Sequence, residues 1–297
     1  VIGGNGAGKS TLINRLLQEA GMPDRMAVGT NLESCTGDII PTVVTKTPNE
    51  ALNNALGNRR LVLVDTPGFD DTEKDDEQIL RLISTWLEGS YRKDMLVGGV
   101  LYLHDITRDG WGGSSKNNLT LFSKLCGEPA MSQVWFVTTK WGKLKDIGDG
   151  VKRLSQLKER FWASMIGLGA SVCNLQHTDS LEIAIEGQRE PWNIIHELVV
   201  SMNGRNVLLI QEELVKKKML LWETRAGREL REKLERLLED TKNLRKETKA
   251  QSNQAAYAKD ALDRQQQKID QLTGQLVRLR PSIAERFRRW IRGTFTK

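Results

Sequence analysis

Val1-Ile2-Gly3-Gly4-Asn5-Gly6-Ala7-Gly8-Lys9-Ser10-Thr11 opens the chain, and the reading of this stretch decides the fold. Two apolar residues run into a full G-x-x-x-x-G-K-[ST] match. Glycines there let successive backbone N–H groups turn inward around a di- or triphosphate, which a Cβ would obstruct. Lys9 brings an ammonium to the β/γ-phosphates and Ser10 a hydroxyl ligand for Mg²⁺. From Ser10 to about Ala20 the apolar Leu12, Ile13, Leu16 and Leu17 predict a helix whose positive dipole end faces the same phosphates. Gly3, Gly4, Asn5, Gly6, Ala7, Gly8, Lys9, Ser10 and Thr11 are therefore the expected nucleotide cradle. Such a loop follows a buried strand of roughly five residues, so Val1 and Ile2 read as the end of a truncated first strand.

Outward from the loop, short β-rich runs alternate with amphipathic stretches, the pattern of an α/β fold. Strands are expected at 39–45, 60–65, 97–104, 133–138 and 170–174. Ile79, Leu82, Ile83, Trp86 and Leu87 mark one face of a helix, and further helices are expected over 116–125, 151–166 and 192–202. The predicted architecture is a three-layer α/β/α P-loop NTPase domain, mostly parallel, with its ligand at the strand C-terminal ends.

Asp65-Thr66-Pro67-Gly68 follows the apolar run Leu61–Val64. A carboxylate at that strand end can hold Mg²⁺ through water, and the Gly68 N–H can reach a γ-phosphate, which makes the next segment nucleotide-sensitive. A threonine before the second strand would complete the metal shell. Thr30, Thr36, Thr42 and Thr45 are candidates, with Thr36 preferred for its polar loop ahead of an apolar strand. The expected metal set is Ser10, Thr36 and Asp65, and Lys9, Thr36 and Gly68 are the catalytic candidates.

The cradle, Ser34-Cys35-Thr36, Asp65-Thr66-Pro67-Gly68-Phe69 and Thr138-Thr139-Lys140-Trp141 together resemble the septin-related P-loop GTPases of the immunity-associated kind. That group includes avirulence-induced-gene proteins and chloroplast-import receptors, and fungal G-domain-containing proteins are the nearest type. The resemblance covers about residues 1–240. It implies GTP/GDP and Mg²⁺ as ligands, Thr139 and Lys140 on the base side and self-association through the G domain, with the coiled coil as a second route; slow GTP hydrolysis is expected from Phe69.

The chain departs from the GTPase pattern twice. Where such proteins carry a guanine-reading carboxylate after the lysine, this one has Trp141 and Gly142; Asp146 lies four residues further on. A buried bidentate contact of that kind is worth several kcal/mol of base discrimination, so ATP-preferring binding stays open. Trp141 either stacks on the base or packs in the core. Phe69, Asp70 and Asp71 stand where many small GTPases place a water-orienting Gln, which also keeps open a nucleotide-binding scaffold without turnover. Arg108 reads either as an arginine finger toward a neighbouring copy or as a solvated loop residue.

Charge is segregated: 21 Lys and Arg face 25 Asp and Glu up to residue 200, against 23 and 13 beyond it. The net charge of +6 therefore belongs to the tail and calls for an acidic partner there. The expected divisions are a G domain over 1–204, a helical extension over 205–249, a coiled coil over 250–280 and a basic amphipathic segment over 281–297. Leu230, Leu234, Leu237 and Leu244 begin a seven-residue pattern that Leu262, Ile269, Leu272, Leu276 and Leu279 resume, with a polar middle. In the last segment Ile283, Phe287, Trp290, Ile291 and Phe295 share a face opposite Arg286, Arg288, Arg289 and Arg292. That pattern suits an anionic membrane surface or a protein partner; nucleic acid is disfavoured because no recognised binding fold accompanies the charge. Three scattered cysteines and no apolar run of about 18–20 residues point to a cytoplasmic, at most peripheral-membrane, protein.

Overall fold

The computed structural model describes residues 1–23, 38–69, 74–95, 97–108, 112–176, 186–201, 207–251 and 256–282. The preferred metal threonine, Thr36, and the basic segment from Ile283 onward lie outside the described residues. Two compact units are present, Val1–Glu212 and Glu213–Lys297. Among the described residues no helix is long and apolar enough to cross a membrane.

The first unit alternates strand and helix: β1 (Ile2–Gly3), α1 (Lys9–Glu19), β2 (Ile40–Val44), α2 (Glu50–Leu56), β3 (Leu61–Asp65), α3 (Asp76–Arg92), β4 (Val100–Asp105), α4 (Gly113–Cys126), β5 (Val134–Thr139), α5 (Ile147–Gln156), α6 (Ala163–Gly167), β6 (Ser171–Leu175), β7 (Gln188–Arg189), α7 (Pro191–Val200) and the single turn α8 (Leu209–Gln211). The order β1-β4-β5-β6-β7 forms a parallel sheet, and β2 pairs antiparallel with β3. Val1 N donates to the Val64 carbonyl (2.7 Å) and the Thr66 hydroxyl to the Val1 carbonyl (2.8 Å), which lays β3 alongside β1.

Parallel strands covered on both faces read as continuous apolar runs, and every residue of β5 is buried. Beneath the loop, Leu12, Ile13, Leu16 and Leu17 of α1 are fully covered and share a core with Leu103, Val137, Trp192 and Ile195. The α3 face forms as its spacing predicts, started by a capping box between Asp75 and Gln78. The helix expected over 151–166 is broken: α5 ends at Gln156, a π-helical turn spans Leu157–Phe161, and α6 follows. The short helix α2, capped by Asn49 on the Leu52 N–H at 2.8 Å, is an addition.

In the second unit α9 (Arg225–Gln251) and α10 (Ala256–Leu279) are two long helices packed against one another. The α9 start is fixed by Thr224, whose hydroxyl accepts from Gly227 N (3.0 Å) and donates to the Leu221 carbonyl (2.6 Å). Between the helices the Gln265 amide donates to the Thr248 hydroxyl at 3.1 Å, so α10 folds back along α9 within one chain. On α10 the heptad positions hold: Leu272 and Leu279 are buried, and Leu262, Ile269 and Leu276 half-buried. On α9 they do not. Leu230 and Leu234 are buried, whereas Leu237 and Leu244 are 36% and 53% exposed, and Leu238, Thr241, Arg245 and Thr248 take the covered side. Leu238 and Arg245 thus replace Leu237 and Leu244 on the covered side, while the seam positions Thr241 and Thr248 are kept. Leu234→Ala should accordingly cost about 2–5 kcal/mol, and Leu244→Ala about 0.5 kcal/mol, in urea unfolding of the whole chain followed by helical circular dichroism. Equal losses would place Leu244 on the covered side of α9.

Candidate functional site

The loop between β1 and α1 is an arch built on left-handed glycines, Gly6 at φ 72° and Gly8 at φ 89°, which side chains rarely adopt. It closes on itself through Ala7 N to the Gly4 carbonyl (3.2 Å), and α1 begins with Leu12 N on the Gly8 carbonyl (2.9 Å). Lys9 is buried under the arch, its ammonium donating to the carbonyls of Gly3 (3.3 Å) and Gly4 (3.1 Å). An ammonium enclosed by loop peptides at a helix N-terminus is an anion-binding arrangement.

The carboxylate that ends β3 meets the first turn of α1. Ser10 Oγ donates to Asp65 Oδ2 at 2.6 Å, and Asp65 is 0% exposed. Its second oxygen, Oδ1, is buried with no hydrogen-bond partner among the described residues. A buried carboxylate with an open lone pair beside a hydroxyl is costly unless a donor or cation completes it. Hard oxygen donors in this arrangement suit Mg²⁺, so the donor set fits that ion.

Gly68 passes so close to the arch that a Cβ there would lie 2.8–2.9 Å from Asn5 N, Asn5 Cα and Lys9 Nζ. Only glycine fits that approach. Asn5 N donates to the Phe69 carbonyl at 3.1 Å, while the Phe69 side chain is 1% exposed. Phe69 is thus an apolar anchor that fixes the segment after β3 to the loop.

On the far side of the arch Thr139, at the end of β5, donates to the carbonyls of Ala7 (2.9 Å) and His104 (3.3 Å). Lys140 follows in left-handed backbone (φ 65°, ψ 27°) and extends its ammonium to Asp105 Oδ2 at 2.6 Å. Asp105 Oδ1 accepts from the Thr107 N–H (3.0 Å) and hydroxyl (2.6 Å). Burial alone would raise the Asp105 pKa; the Lys140 and Thr107 bonds outweigh it and hold the carboxyl below its usual range. Its neighbour His104 stacks edge-on to Trp162 at 5.8 Å, and burial pushes its pKa down to about 4, leaving a neutral core imidazole.

The two readings of Trp141 are resolved toward packing. The indole is 2% exposed, its Nε1 donates to Thr138 Oγ1 at 2.8 Å, and it lies so close to Gly150 that a Cβ there would be 2.7 Å from the ring. Gly142 is exposed in the single turn that follows. Asp146 caps α5, accepting from Gly148 N at 2.8 Å. Arg108, expected as a solvated residue or one directed at a neighbouring copy, is 48% exposed and its guanidinium donates to the Asn5 carbonyl of its own loop.

The structure therefore brings the cradle residues, Asp65, Gly68, Thr139 and Lys140 together. Thr36 and Thr30 lie outside the described residues; Thr42 is buried on β2 and Thr45 exposed just beyond it. Asp105 is a charged group that motif reading did not place in the site, and Arg108 one that it directed at a neighbouring copy or at solvent. The signal for Asp105 was an acid terminating an apolar strand expected to stop at His104.

Residues 1–111 match the model of a family described as 50S ribosome-binding GTPase. No curated protein sequence matches the chain. Among solved structures, a dimerization-deficient mutant of Toc33 from Arabidopsis thaliana is similar over 70% of this chain and 84% of its own, with 16% identity and a TM-score of 0.50. Toc33 in complex with Mg²⁺ and GMPPNP gives 18% identity over 70% and 85% of the two chains, with a TM-score of 0.49. At 16% identity the first of these likenesses concerns the fold alone.

Because Trp141 is a core residue, Trp141→Ala should destabilise the first unit by about 3–5 kcal/mol, read from urea unfolding. A loss below about 1 kcal/mol would place the indole at the surface.

Proposed function

We propose that the chain is a GTP-binding protein acting as a Mg²⁺-dependent, nucleotide-controlled switch. One observation carries the reading: the Ser10–Asp65 pair, with its open buried carboxylate oxygen, set directly beside the loop that encloses Lys9. The GTPase family match over residues 1–111 includes all of these residues. In this reading the peptides of Gly3 to Thr11 and the Lys9 ammonium hold the phosphates. Ser10, Asp65 and Thr36 would hold Mg²⁺, which would neutralise phosphate charge. Gly68 reports the γ-phosphate to the segment after Phe69, and the Lys140 stem with Thr139 flanks the base.

Hydrolysis is slow, since the buried Phe69 cannot orient water, and the missing group comes from self-association through the G domain. The segment over 281–297 supplies a membrane-surface or protein contact in a cytoplasmic or peripheral setting. A second reading, weak base selectivity extending to ATP, is favoured by the site itself. Trp141 is buried, Asp146 commits one oxygen to the N-terminus of α5, and Asp105 is saturated by Lys140 and Thr107, which supports weak guanine reading.

Calorimetric titration of the whole chain with GTP and ATP in Mg²⁺ tests both. Lys9→Ala should weaken either nucleotide about tenfold or more, as befits loss of a charged hydrogen bond. Gly142→Asp should raise the GTP/ATP preference. Undiminished affinity in Lys9→Ala would remove the assigned pocket.

A further inference from the structure

The peptide unit of Asn5, at the crown of the loop, is held from two directions. Its N–H donates to the Phe69 carbonyl (3.1 Å), and its carbonyl accepts from Arg108 Nη2. The Arg108 guanidinium lies along the arch: Nη1 is 3.8 Å from where a Cβ on Gly4 would sit, and Nη2 is 3.6 Å from the equivalent point on Gly6. Its base is tied to the end of β4, with Arg108 N on the Asp105 carbonyl (3.4 Å) and Nε 3.9 Å from Asp105 Oδ2. Its side chain is nonetheless 48% exposed. This is a permanently charged planar group with several N–H donors beyond the one given to Asn5, set on the rim of a phosphate cradle and fixed there by its own chain.

We propose that Arg108 acts in cis, contacting the terminal phosphate of a nucleoside triphosphate held by its own loop. The terminal phosphate is singled out because Arg108 and the Gly68–Phe69 segment converge on the same Asn5 peptide, and Gly68 is the group next to Lys9. A guanidinium pairs with phosphate oxygens through two parallel hydrogen bonds, so its contribution is selective for triphosphate over diphosphate. Asp105 is the positioning residue: it receives Lys140 from the base side and keeps the Arg108 stem turned toward the loop. The inference rests on the nucleotide-binding reading above.

The test is equilibrium binding of a non-hydrolysable GTP analogue and of GDP, with Mg²⁺, to the whole chain diluted until sedimentation shows a monomer. Arg108→Gln, which removes the charge and leaves only a shorter amide, should lose about tenfold or more in analogue affinity and less than about threefold for GDP. Arg108→Lys should recover part of the loss. Adding excess Lys9→Ala protein, whose Arg108 is intact, should not rescue Arg108→Gln. An unchanged analogue-to-GDP ratio in Arg108→Gln would overturn the proposal and leave the nucleotide site standing. Rescue by the Lys9→Ala protein would overturn it in favour of action across two copies. A parent chain that binds neither nucleotide would remove the functional reading and this inference together.

Discussion

A carboxylate with no exposure and one open oxygen is the constraint around which this domain is arranged. Asp65 can sit there only because β3 ends in the shadow of α1, where Ser10 donates to it at 2.6 Å. That placement depends in turn on β3 lying beside β1 through the Val1 and Thr66 bonds. Fully desolvating an ionised carboxylate is among the most expensive acts in a fold unless partners compensate it. The hydroxyl supplies one, and a hard divalent cation is the natural second. The buried Leu12, Ile13, Leu16 and Leu17 hold α1 on the sheet and so keep its N-terminus against the carboxylate.

From that point the site is assembled by strand ends. β1 delivers the arch, β3 the Asp65–Gly68 turn, β4 Asp105 with Arg108, and β5 Thr139 with Lys140. Thr139 ties β5 to the arch at Ala7, and Lys140 ties it to β4 at Asp105. Asn5 joins the β3 turn and the β4 loop through its two backbone groups. A change at the crown of the arch is thus felt by two loops at once, which is the physical content of a switch: adjacent segments share one peptide unit whose surroundings alter with the ligand. Gly68 makes this sharing possible, since any side chain would collide with Asn5 and Lys9.

The cradle, Asp65 and Gly68 were legible in the sequence because contiguous backbone geometry and fixed spacing dictate them. Leu61 to Val64 likewise announced a strand, and Ile79 to Leu87 a helical face. The role of Asp105 and the contact of Arg108 with its own loop were not, because their partners Lys140 and Asn5 are distant in sequence and only the β4–β5 and β1–β4 registers bring them together. The position of Trp141 in a motif suggested a base contact, yet its burial follows from Thr138 and Gly150, which no local pattern reveals. In the second unit, Leu237 and Leu238 are adjacent leucines with nearly equal claims to the seam. Leu238 takes the covered side and Leu237 stays exposed, a one-residue shift that no local pattern reveals. A π-helical turn at Leu157–Phe161 left its apolar periodicity almost intact, so the break between α5 and α6 was invisible.

The central claim is that Asp65 carries the metal-dependent part of nucleotide binding. The direct measurement is the ratio of GTP affinities with Mg²⁺ and with chelator, for the whole chain and for Asp65→Asn. The parent should lose about tenfold or more on chelation, since charge-assisted contacts of this kind are worth about 1.5–3 kcal/mol, and Asp65→Asn should show almost no dependence on the metal. An Asp65→Asn protein with the parent's full Mg²⁺ dependence would contradict it.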